Sequence, residues 1–137
     1  MDIFEQICAE LGIEGVRFNH DNIAYCELMC NEEKLPLRCL LYRNYEEMSI
    51  NVAVRTRNAL PENITPDFLT LLAENAIEPF RGGYGVGLLP GSESRELVVY
   101  KCIMLSGYQS GEIKTHFAGL INIAEQWDEK LVSVSGI

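Results

Sequence analysis

Three stretches decide the fold: Ile23-Ala24-Tyr25-Cys26-Glu27-Leu28-Met29-Cys30, Leu35-Pro36-Leu37-Arg38-Cys39-Leu40-Leu41-Tyr42 and Met48-Ser49-Ile50-Asn51-Val52-Ala53-Val54-Arg55. Each is short and rich in β-branched, aromatic and aliphatic residues, the composition of strands. The connection Asn31-Glu32-Glu33-Lys34 predicts a hairpin between the first two. With Cys30 opposite Leu35, Leu28 meets Leu37, Cys26 meets Cys39 and Ala24 meets Leu41, so one face is wholly apolar. On the other face Glu27 meets Arg38, an opposite-charge pair worth roughly 0.2–1 kcal/mol. A slip of one residue would mix the two faces. The third stretch adds Met48, Ile50, Val52 and Val54 to the apolar face. The reverse face carries Ile23, Tyr25, Met29, Leu40 and Tyr42 beside Glu27 and Arg38. That is too apolar for a sheet face left in water, so a cover is expected, either a helix of the same chain or something else.

Working outward, a helix is predicted over Ile3–Leu11, with Asp2 as N-cap, Glu5 completing a capping box and Gly12 as the stop. A second helix starts at Thr65-Pro66, cap and first turn, and runs to about Phe80. Phe68, Leu69, Leu72, Ala73, Ala76, Ile77 and Phe80 spread over an arc of about 180°, wider than one-sided packing needs. Such a helix is sandwiched within its own subunit or shared with a second one. Gly82–Leu89 reads as a glycine-interrupted strand, Pro90-Gly91-Ser92 as a turn, and Glu96–Leu105 as a central strand. After the loop 106–111, a last helix over Glu112–Val132 places Ile113, Phe117, Leu120, Ile121, Ala124, Trp127 and Leu131 on one face. The reading is a single α+β domain over residues 1–137, in the order α-β-β-β-α-β-β-α. It has a twisted antiparallel sheet and three helices.

The 137 residues carry 20 acidic and 11 basic side chains, a net charge of −9, which opposes binding to nucleic acid. No apolar run is long enough to enter a membrane as a spanning helix. Met1–Gln6 has no basic n-region, so a cytosolic protein is expected. Five cysteines without a CxxC argue against a disulfide framework or a zinc ribbon. Cys26 and Cys30 stand about 13 Å apart on a strand, too far to share a ligand.

Gly85-Val86-Gly87 begins a G-x-G, but Pro90 stands where the third glycine belongs, and the segment follows a helix instead of a strand. The glycines are better explained by close backbone approach. His20 and His116 lie far apart, with no nucleophile motif near either. No cofactor, metal site or catalytic residue is expected, and Trp127 reads as a core anchor.

Leu71-Leu72-Ala73-Glu74-Asn75 in the second helix and Gly85-Val86-Gly87-Leu88 after it are followed by Leu97 and Val99 in the next strand. Ala124-Glu125-Gln126-Trp127 and Leu131 close the pattern. In this order the chain resembles the class I chaperones of bacterial type III secretion, the Tir-chaperone family, over about residues 2–132. The resemblance implies a cytosolic bacterial homodimer without enzymatic activity. It binds the N-terminal region of a secreted effector, holds it extended and keeps it competent for export. It is also compatible with docking on the export ATPase. The second helix and following strand would form the dimer interface, here Phe68, Leu71, Leu72, Asn75, Val86 and Leu88. The first helix and the sheet would meet the partner, here through Phe4, Cys8, Leu11, Ile23, Tyr25, Met29, Leu40 and Tyr42.

Two rivals remain at this level. A structural or regulatory dimer of the same fold would bind no export segment. A small enzyme would use a pocket between the sheet and the first helix, with clustered titratable groups in it.

Overall fold

The computed structural model describes residues 2–12, 15–28, 36–88 and 95–134. Helix α1 spans Ile3–Glu10, capped as the sequence predicts: the Asp2 carboxylate accepts from the Glu5 N–H at 2.9 Å. Gly12, at φ +74°, takes the left-handed conformation that ends the helix. Strands β1 (Ile23–Leu28), β2 (Leu37–Asn44) and β3 (Ser49–Ala59) follow as an antiparallel meander. The register has Leu28 facing Leu37, Cys26 facing Cys39, Ala24 facing Leu41 and Glu27 facing Arg38, as expected; the Cys30–Leu35 pair lies outside the described residues. Met48 belongs to the turn before β3 at φ +50° and is exposed, so it is not part of the apolar face.

Helix α2 (Pro66–Ala76) is capped by Thr65, whose hydroxyl accepts from the Phe68 N–H at 3.2 Å. It ends sooner than the apolar arc suggests and passes into a single 3-10 turn over Glu78–Arg81, with Pro79 at its start. Strand β4 (Gly85–Leu88) pairs with β5 (Glu96–Met104), and β5 pairs with β3 on its other side. The sheet order is β1-β2-β3-β5-β4, all antiparallel. Gly85 lies beneath the Tyr100 ring, and a Cβ there would come within 2.3 Å of it. Close approach, not nucleotide binding, accounts for this glycine. Helix α3 (Glu112–Val134) is the last described element.

The core lies on one side of the sheet. Ala24, Leu37, Leu41, Ile50, Val52, Val54, Leu97 and Val99 point into it. Phe4 and Ile7 of α1, Phe68 of α2 and the face Ile113–Leu131 of α3 close over them. Trp127 meets Phe68 edge-on at 6.0 Å, which makes it the anchor between α2 and α3.

Two polar ties fix the frame. The buried Asp128 of α3 accepts from the backbone N–H of Arg57 (3.0 Å) and Asn58 (2.9 Å) and from the Asn58 side chain (3.0 Å). These amides belong to the stretch of β3 where the ladder with β5 shifts register. At the other end, Tyr108 donates to the Glu10 carboxylate at 2.7 Å and Ser110 adds a bond at 3.1 Å, tying the 106–111 loop to α1. The Tyr108 hydrogen bond holds the Glu10 carboxyl below its usual range. A depressed folded-state pKa contributes stability present above the unfolded value and lost as pH falls through the folded one. Glu10→Gln is therefore expected to flatten the acid limb of the melting-temperature profile, over roughly pH 5 to 3. Thermal melts of both proteins across that window check this; identical profiles would show that the tie does not titrate.

Candidate partner-binding site

The buried side chains of all three described helices enter the same side of the sheet. The opposite side is uncovered by any of them. It carries rows read straight from the register: Tyr25, Leu40, Ala53 and Tyr100 in one, and Tyr42, Asn51 and Cys102 in the next. Tyr25 is 63% exposed and Met104 54%; Tyr42 is exposed and Leu40 partly so. Whether a helix of the chain covers this face was open from the sequence; among the described residues no helix does.

A charged row lies beside the aromatic one. Arg38 does not pair with its cross-strand neighbour Glu27; it reaches Glu96 at the start of β5, as does Arg55 at 3.1 Å. Glu96 is nearly buried, and burial followed by repulsion from Arg38 lowers the pKa of Arg55. Two arginines on one carboxylate satisfy a polar group that the sheet would otherwise strand. A shallow depression of about 200 Å³ opens here, lined by Tyr25, Glu27, Arg38, Leu40 and Arg55 with Cys26 and Cys39.

Strand β1 forms the edge of the sheet on this side. The Arg43 N–H donates to the Asn22 carbonyl at 2.9 Å, which fixes the alternation of the ladder. The backbone groups of Ala24, Cys26 and Leu28 then face β2, while those of Tyr25 and Glu27 face away from the sheet. Those outward groups are what an added strand needs.

The expected partner patch is divided by this arrangement. Ile23, Tyr25, Leu40 and Tyr42 belong to the open face. Phe4 and Cys8 are buried on the opposite side of the sheet, inside the chain's own core, and so are corrected from surface to core. Phe4 packs edge-on against Phe18 and Tyr45 there. Leu11 is partly buried against the same core, and Met29 lies outside the described residues. Sequence periodicity reveals that a helical face is apolar but not which side of the sheet it covers.

A second exposed apolar surface lies on α2. Phe68 and Val86, expected at a dimer interface, are buried within the chain, Leu71 and Leu72 are partly buried against its core, and Asn75 is half-buried. The other flank of the arc is open: Leu69 and Ile77 are each 60% exposed, and Phe80 in the 3-10 turn is 93% exposed. Leu88 at the end of β4 is exposed as well. The 180° arc thus splits into an inward half that packs on β4 and Trp127 and an outward half that stays exposed among the described residues.

A cavity of about 430 Å³ lies beside α1, lined by Glu5, Cys8, Ala9, Val16, Arg17, Phe18 and Arg43. Arg43 is stacked between the rings of Phe18 (4.7 Å) and Tyr45 (5.2 Å). Burial pushes the Cys8 thiol up to about 11, the reverse of what an activated nucleophile needs. His20 is solvent-exposed beside Asp21, and His116 sits 3.4 Å from Glu112 on α3; neither borders this cavity. Among the described residues there is no group of three metal-ligating side chains, and no helix is long and apolar enough to cross a membrane.

No protein-family model and no curated protein matches the sequence. Solved structures do match the fold. The HopA1–SchA chaperone–effector complex contains a chain that superposes with a TM-score of 0.65 at 18% identity, covering 90% of this chain and 88% of the other. The ExsC–ExsE complex contains one with a TM-score of 0.70 at 16% identity, covering 96% and 97%. The class that the architecture defines is thus the α+β fold shared with these two chains, three helices and a five-stranded antiparallel sheet, which is the fold the sequence resemblance implied.

Proposed function

We propose that the chain is a cytosolic class I type III secretion chaperone that acts as a homodimer. It binds the N-terminal segment of an effector and keeps that segment extended and competent for export. The observation that carries this reading is the bare outer sheet face, with Tyr25, Leu40 and Tyr42 beside an open strand edge. The shared fold with a chaperone–effector complex supports it.

The mechanism requires no covalent chemistry. An unfolded segment inserts apolar side chains against the aromatic row and adds its backbone to the outward groups of Tyr25 and Glu27. Ordering each residue of the segment costs about 1–2 kcal/mol, so a long contact is needed to offset it. Two copies of the chain provide two such faces, and binding at the first raises the effective concentration for the second. The outward flank of α2, Leu69, Ile77 and Phe80 with Leu88, provides the surface through which the copies join, and Leu71, Leu72 and Asn75 support it from behind.

Tyr25→Asp combined with Leu40→Asp places charge in the aromatic row without touching α2. The pair is expected to leave the oligomeric state unchanged and to weaken binding of the proposed effector, tested with the product of the adjacent gene, by about 100-fold. Calorimetric titration with the effector's N-terminal segment measures this. A structural or regulatory dimer of the same fold would form the same assembly and show no binding by the unsubstituted protein.

A further inference from the structure

Cys26 of β1 and Cys39 of β2 are direct register partners, both on the core side of the hairpin. The Arg43-to-Asn22 hydrogen bond places this pair at a hydrogen-bonded position of the ladder, two steps along. The Cα atoms at such a position are about 5.5 Å apart, at the centre of the spacing that a disulfide spans. We propose that Cys26 and Cys39 are a reversible oxidation site, at which a peroxide converts the two thiols into a cross-strand disulfide within one chain.

The two sulfurs differ in a way that assigns their roles. Cys26 is partly exposed on the edge strand, whereas Cys39 is 1% exposed beneath it. Cys26 is the one an oxidant reaches first. The Cys39 thiol has two acceptors in reach, the Leu37 carbonyl at 3.6 Å and the Cys26 sulfur. That second hydrogen bond lowers the pKa of Cys26, favouring its thiolate. Burial drives Cys8 the other way, to about 11, and leaves it protonated. Cys102 lies on the far face of the sheet opposite Asn51, with no thiol as its cross-strand partner.

The Cys26 thiolate attacks one peroxide oxygen, the O–O bond breaks, and a sulfenic acid forms as one water leaves after protonation. The Cys39 sulfur attacks the Cys26 sulfur, gives up its proton, and the second water departs. Two thiols and hydrogen peroxide yield one disulfide and two waters; a dithiol reductant reverses the reaction. The product would staple the edge strand covalently to β2, directly behind the Tyr25–Leu40 row.

The test uses the native full-length chain, hydrogen peroxide and intact-mass measurement followed by peptide mapping, and it stands apart from any role in secretion. The expected result is a mass loss of two hydrogens, restored by dithiothreitol, with the linked peptides containing Cys26 and Cys39. In Cys39→Ser, the sulfenic acid at Cys26 should persist and take up dimedone; in the unsubstituted protein it should not. Cys8→Ser and Cys102→Ser should form the same bond. A chain that stays fully reduced, or a disulfide that maps to Cys8, Cys30 or Cys102, would overturn the proposal.

Discussion

Leu69→Asp combined with Phe80→Asp is expected to convert the proposed dimer into monomers that remain folded. Both side chains stand out from the subunit, at 60% and 93% exposure, so neither substitution removes a contact from the core. In a two-fold interface each substitution occurs twice. Burying a carboxylate without a partner costs several kcal/mol, so even about 3 kcal/mol per subunit weakens association roughly 10,000-fold. Size-exclusion chromatography with light scattering measures the mass, and far-UV circular dichroism reports the fold. A folded variant that keeps the mass of two chains would move the interface elsewhere. Phe68→Asp is a poor substitute, because Phe68 packs on Trp127 within the subunit and its loss would unfold the chain itself.

Asp128→Ala carries a large expected cost to the subunit. It leaves the N–H groups of Arg57 and Asn58 without their acceptor in a site that is 8% exposed at Asp128. Each stranded donor costs about 1–3 kcal/mol, so the loss is about 3 kcal/mol and the melting temperature should fall by about 10 °C. Asp128→Asn keeps one carbonyl acceptor and should recover part of that loss. Thermal unfolding of the three proteins decides it; an alanine variant that melts with the parent would mean the β3 irregularity finds other partners.

The elements were legible because their signals are local. The cap at Asp2, the cap and proline at Thr65-Pro66 and the alternation over residues 23–55 each depend on residues a few positions apart. The register of β1 on β2 followed from requiring one apolar face, since a slip by one would put either Glu27 or Arg38 on the buried face. What the sequence concealed are contacts between distant segments. Arg38 turns from Glu27 to Glu96 because the latter, nearly buried, has the greater need of a cation. Asp128 lies on the buried face of α3, four residues after Ala124, yet its purpose appears only where β3 loses register. The division of the expected partner patch between the two sides of the sheet is a matter of layer order. Apolar periodicity is the same whichever side a helix covers.

Native mass spectrometry of the chain co-expressed with the product of the adjacent gene, taken as the proposed effector, tests the central claim most directly. The account predicts two copies of this chain on one effector, with the effector's N-terminal segment protected from proteolysis. A monomeric chain that leaves that segment unbound and open to cleavage would contradict it.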